Sequence, residues 1–75
     1  MIEISYYYEQ SQGKWILCTN YFHKLDKAIR FMYVIKKNPR MVYHELHCDD
    51  PWDDEQIRRR FKIWVKEKKK YYLHY

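Results

Sequence analysis

The last third of the chain, Asp50 to Tyr75, limits the possible folds more than any other stretch. Asp50-Pro51-Trp52-Asp53 carries the marks of a helix start. The Asp50 carboxylate can cap, Pro51 suits the first helical position, and Asp53, Asp54 and Glu55 favour the positive end of the helix dipole. Beyond them Ile57, Phe61, Trp64, Lys68, Tyr71, Tyr72 and Tyr75 recur at spacings of three and four. That period predicts one long amphipathic helix whose apolar stripe closes a core built by the rest of the chain. Arg58, Lys62, Lys66 and Lys69 fall on another face.

The preceding residues read as strands and one further helix. In Ile2 to Glu9 the residues Ile2, Ile4, Tyr6 and Tyr8 alternate with Glu3, Ser5, Tyr7 and Glu9, the pattern of a half-buried strand. Gln10 to Lys14 contains the single glycine, Gly13, and predicts a hairpin turn. Trp15 to Phe22 forms a second strand, with apolar residues in both alternate sets. Leu25, Ala28, Ile29, Met32 and Ile35 mark the core stripe of a helix from about Leu25 to Lys37, which Asn38-Pro39 ends. Phe31, Tyr33 and Val34 lie beside that stripe, to be wrapped by the terminal helix or left as an exposed patch.

Arg40 to Cys48 alternates again, placing Val42, His44, Leu46 and Cys48 on one face and Met41, Tyr43, Glu45 and His47 on the other. The expectation is a single compact α+β domain over residues 1–75 in the order ββαβα. A crossover through the first helix puts the third strand beside the first, giving an antiparallel sheet of order 2-1-3. The two helices cover one face, and Glu3, Tyr7, Tyr43, Glu45 and His47 occupy the other.

Composition bounds the function. At 75 residues the domain buries only about 60% of its unfolded surface. Nine Tyr, three Trp and three Phe compensate, but they are too many for one small core, so several tyrosines should lie at the surface. The net charge of +5 favours nucleic acid, an acidic protein surface or anionic lipid as partner. No apolar run approaches a membrane span and the N-terminus lacks a signal-peptide pattern, so the expected location is cytoplasmic. Two cysteines, Cys18 and Cys48, make no disulfide framework.

Catalysis and cofactors find little support in these residues. A single glycine excludes a phosphate-cradling loop or a dinucleotide fingerprint. Ser5 and Ser11 have no nucleophile motif around them. Helix capping and the dipole account for much of the Asp49, Asp50, Asp53 and Asp54 cluster, although such carboxylates can also hold Mg²⁺. Cys18, His23, His44, His47 and Cys48 are metal-ligand types without metal-ligand spacing. The expectation is a non-enzymatic protein with no cofactor, no metal and no small-molecule substrate.

What remains is binding. From Glu45 to Glu55 there are six acids and no Lys or Arg, and from Arg58 to Lys70 eight bases against Glu67 alone. A solvated helix face explains part of this. The functional expectation is that Arg58, Arg59, Lys62, Lys66, Lys69 and Lys70 engage nucleic acid or a nucleic-acid-handling protein complex, with Tyr7 and Tyr43 stacking bases on the free sheet face. The alternative is a protein-binding inhibitor or adaptor, of the kind phages and mobile elements direct at host nucleases or defence complexes. It would use the same helix, the acidic block and Trp52 as anchor. An interfacial membrane role conflicts with the need for the apolar stripe in the core. A homodimer through the free sheet face or the edge of the second strand is a further possibility.

Overall fold

The computed structural model describes residues 1–61. The elements are β1 (Ile2–Ser11), β2 (Lys14–Phe22), α1 (Leu25–Lys37), β3 (Met41–Cys48) and α2 (Pro51–Arg60). The sheet is antiparallel throughout, in the order β2-β1-β3. It is a small α+β architecture with both helices against one sheet face, as the alternation and the helical periods predict.

Local chemistry sets each boundary. The β1–β2 hairpin turns through Gln12-Gly13, and Gly13 takes a φ of 80°, a left-handed conformation that glycine reaches without a Cβ penalty. The Glu9 carboxylate accepts the Gly13 N–H at 3.2 Å and ties the turn to the strand. At the far end of α1, Asn38 adopts extended dihedrals (φ −91°, ψ 115°), as a residue before proline must. Its N–H still donates to the Val34 carbonyl, while its side chain accepts the Arg40 N–H at 2.9 Å. Asp50 caps α2, accepting the Trp52 N–H at 2.9 Å, and Pro51 occupies the first turn.

The core lies between the inner sheet face and the helices. β1 supplies Ile2, Ile4 and Tyr6; α1 supplies Ala28, Met32 and Ile35; β3 supplies Tyr43 and Leu46; and Ile57 and Phe61 close it from the last element. Burying each large apolar side chain contributes about 1.5–3 kcal/mol, so these few residues carry most of the drive to fold. Phe31 packs inward with Tyr6 and Phe22, its ring centroid 5.2 Å from each. Tyr33 meets Phe61 edge-on at 4.8 Å, whereas Val34 stays exposed.

Two expectations are corrected. The first is the facing of β3. Ser5 pairs with Glu45 but Tyr6 pairs with Tyr43, so His44 is an extra residue, a β-bulge. The bulge reverses the alternation before it. Met41 and Tyr43 turn to the core and Val42 turns outward, while Leu46 and Cys48 remain on the inner side. Tyr43 is only 8% exposed and is no part of the open face.

The second correction concerns the terminal helix. α2 ends at Arg60, and Phe61 leaves helical dihedrals (φ −109°, ψ 70°), its N–H closing the last turn on the Ile57 carbonyl at 3.0 Å. The expected continuation through Trp64 to Tyr75 lies outside the described residues, together with Lys62, Lys66, Lys69 and Lys70. Among the described residues no helix is long and apolar enough to cross a membrane.

Candidate functional site

Three surfaces offer chemistry, and α2 with its approach is the first. Trp52 stands 62% exposed in the first turn, so it does not staple the helix to the core. Acidic residues surround it in sequence: Asp49 and Asp50 before it, Asp53 after it. Further along, Arg58 and Arg59 turn back on the helix's own acids. Arg58 forms an ion pair with Asp54 through Nε, with a second, longer contact from Nη2 at 3.5 Å. Arg59 Nη2 donates to Glu55 Oε1 at 2.8 Å.

These are i,i+4 pairs, each worth a few tenths of a kcal/mol when exposed. Arg58 is more than a surface base. Its hydrogen bond to Asp54 raises its pKa against the opposing effect of burial, and Tyr43 and Cys48 contribute as neighbours. Arg58 therefore lies at the seam between α2 and β3, above a shallow cleft lined by Cys48, Pro51, Asp54, Glu55 and Arg59. Both ion pairs lie within α2 and leave Arg58 and Arg59 already paired.

Cys48 shares this seam. Burial, followed by the charges of Asp54 and Asp53, pushes its thiol up to about 11 from an ordinary value near 9. The reactive form is the thiolate, so Cys48 should be nearly inert to iodoacetamide at neutral pH. Its alkylation rate, followed by mass spectrometry, is expected to lag that of an ordinary thiol and to keep rising with pH until about 11. Alkylation of Cys48 at pH 7 as fast as a free thiol would contradict this seam geometry.

The second surface is the open sheet face. Register places Glu3, Ser5, Tyr7 and Glu9 of β1 beside Trp15, Leu17, Thr19 and Tyr21 of β2 and Val42, Glu45 and His47 of β3. Tyr7 sits in a row between Leu17 and Val42, and the His44 ring meets it edge-on at 5.1 Å. Towards the other end the face is polar, with a depression lined by Glu3, Ser5, Glu45 and His47. The Ser5 and Thr19 hydroxyls share a hydrogen bond at 3.2 Å. Tyr7 and Tyr43 are not brought together here. The named positions also hold three carboxylates and no Lys or Arg, a poor platform for phosphate.

The third surface is the outer side of α1. Lys27, Arg30, Val34 and Lys37 follow one another at three and four residues, and all are exposed. Lys24 and Lys36 extend the basic character to both ends of the helix. Among the described residues no acid pairs with any of them. Their spacing is readable in the sequence; what is not readable is that, among the described residues, Arg58 and Arg59 are paired and these are not.

Among the described residues no three His, Cys, Asp or Glu side chains come together as a metal set. Topology gives the reason for the cysteines: Cys18 pairs with Tyr6 and Cys48 with Ile2 on opposite sides of β1. Two strand spacings, about 10 Å, separate their strands. Compared with family models, with curated proteins and with solved structures, the chain matches none of them.

Proposed function

We propose that this is a non-enzymatic binding protein that engages the backbone of a nucleic acid through two basic segments, the outer stripe of α1 and the lysines of residues 62–75. The observation that supports this reading is the distribution of charge. Up to Phe61 the chain has ten Lys and Arg against nine Asp and Glu; after it come five Lys against Glu67. Within the near-neutral first part Arg58 and Arg59 face the acids of their own helix, whereas Lys27, Arg30 and Lys37 stand exposed along one face of α1. Exposed, unpaired bases in a row are the groups that can replace counterions on phosphates.

Salt titration tests it. Lys27→Glu with Arg30→Glu, and separately Lys62→Glu with Lys66→Glu, should leave the circular dichroism unchanged. Each pair should weaken binding to a short oligonucleotide whatever its sequence, and reduce the slope of log K against log salt by about two. Wild-type slopes retained in both variants would show the basic segments to be solvated faces only.

A second reading, a protein-binding inhibitor or adaptor, is favoured by one feature. Trp52 is a large, exposed aromatic set among acids, the composition of an interface anchor. Capture from lysate with and without nuclease separates the two. Material lost on nuclease treatment supports the first reading, and one protein retained through it but lost in Trp52→Ala supports the second.

A further inference from the structure

The two edges of the sheet are built differently. β3 is protected by the bulge at His44 and by Glu45 and His47, devices that keep an edge from pairing with another chain. β2 has no such protection. From Trp15 to Phe22 it contains no charge, no proline and no glycine, and Trp15, Leu17 and Tyr21 are 43%, 55% and 60% exposed.

Backbone direction completes the picture. Glu9 donates its N–H to Arg40 and the Met1 carbonyl accepts from Asp49, so odd-numbered residues of β1 turn their backbone groups towards β3. Even-numbered residues of β1 therefore serve the ladder with β2, and Tyr6 opposite Cys18 assigns the even residues of β2 to that ladder. Trp15, Leu17, Thr19 and Tyr21 are left pointing their N–H and C=O groups at the outer edge, where no strand lies among the described residues.

We propose that this edge pairs with a second copy of itself, β2 antiparallel to β2 about a two-fold axis at Cys18, joining two sheets into one of six strands. The register follows from self-complementarity. Centring on Cys18 overlaps the whole strand and places Leu17 opposite Thr19 and Trp15 opposite Tyr21 of the other copy, all with backbone groups aimed across the junction. Each Trp15 then meets a Tyr21 on the open face, an aromatic cross-strand pair formed twice. The one charge of the strand, Lys14, falls opposite Phe22, so no like charges meet. A phosphate-bearing occupant is disfavoured by Glu3 and Glu9 on the neighbouring strand. The two Cys18 residues form a non-hydrogen-bonded pair, with Cα atoms about 4.5 Å apart.

The test combines size with crosslinking. Sedimentation equilibrium of the full chain should give twice the 9.7 kDa protomer mass. In a Cys48→Ser background a short bismaleimide should link Cys18 to Cys18 in high yield. Leu17→Pro removes an N–H that points outward and costs the β1–β2 ladder nothing. It should yield a folded protomer that no longer crosslinks. Leu17→Lys, which sets a charge on the junction without touching the backbone, should do the same. A wild-type protein that sediments as a protomer overturns the proposal, as does a dimer that survives both Leu17 variants or fails to link through Cys18.

Discussion

Replacing Phe61 with alanine is expected to cost about 3–5 kcal/mol and to lower the melting temperature by more than about 12 °C. The ring is 4% exposed, sits edge-on to Tyr33, and lies one turn after the fully buried Ile57. It also stands where the chain leaves α2, its N–H closing the last turn. Truncation therefore removes core volume and loosens the end of the helix that Ile57 and Phe61 anchor in the core. Urea denaturation of Phe61→Ala against Trp52→Ala measures this directly. Trp52 is larger but exposed, and its loss should change stability by less than about 1 kcal/mol. Similar losses in the two variants would mean that the end of α2 is not docked as described.

The contrast between those two aromatics shows what could be read from the chain. Ile57 and Phe61 share a helical face by spacing, and that face is buried. Trp52 stands in a capping sequence, where the cap bond to Asp50 is local and says nothing about the ring. Caps, the Gly13 turn and the Asn38-Pro39 stop are short-range events, with a few neighbouring residues deciding the outcome. They appear where the sequence places them. The end of α2 was harder, because Ile57, Phe61 and Trp64 continue a helical period past Arg60, while the backbone at Phe61 departs from it.

The candidate site was less legible than the fold, for an electrostatic reason. A count of bases along the chain gives Arg58, Arg59 and Lys27 the same value. Only their neighbours separate them. Asp54 and Glu55, four residues back on the same helix, take up the first two. On α1 His23 stands four residues before Lys27, and Asp26, four before Arg30, makes no ion pair with it. Opposite charges at that separation permit a bridge without requiring one, since an exposed pair gains little over its side-chain entropy.

The bulge at His44 yields the sharpest contrast between two tyrosines that alternation alone treats as equals. Tyr43→Ala should destabilise the protein by about 3 kcal/mol or more, whereas Tyr7→Ala should cost less than about 1.5 kcal/mol, the range of a single edge-on ring contact. Strict period two from Cys48 back to Met41 would set Tyr43 beside Tyr7 on the open face. One extra residue reverses it, because a shift of one position exchanges the faces of everything before it. The register at Ser5–Glu45 and Tyr6–Tyr43 makes that shift, and Tyr43 enters the core beside Tyr6. His44, the inserted residue, meets Tyr7 instead. Deleting His44 should then leave Tyr43 in the core. With His44 removed, Tyr43 directly precedes Glu45 and regular alternation still pairs it with Tyr6 on the inner face, so both the deletion and His44→Ala should keep a cooperative melting transition. Equal losses for Tyr43→Ala and Tyr7→Ala would place both rings on the same side of the sheet and remove the bulge from the account.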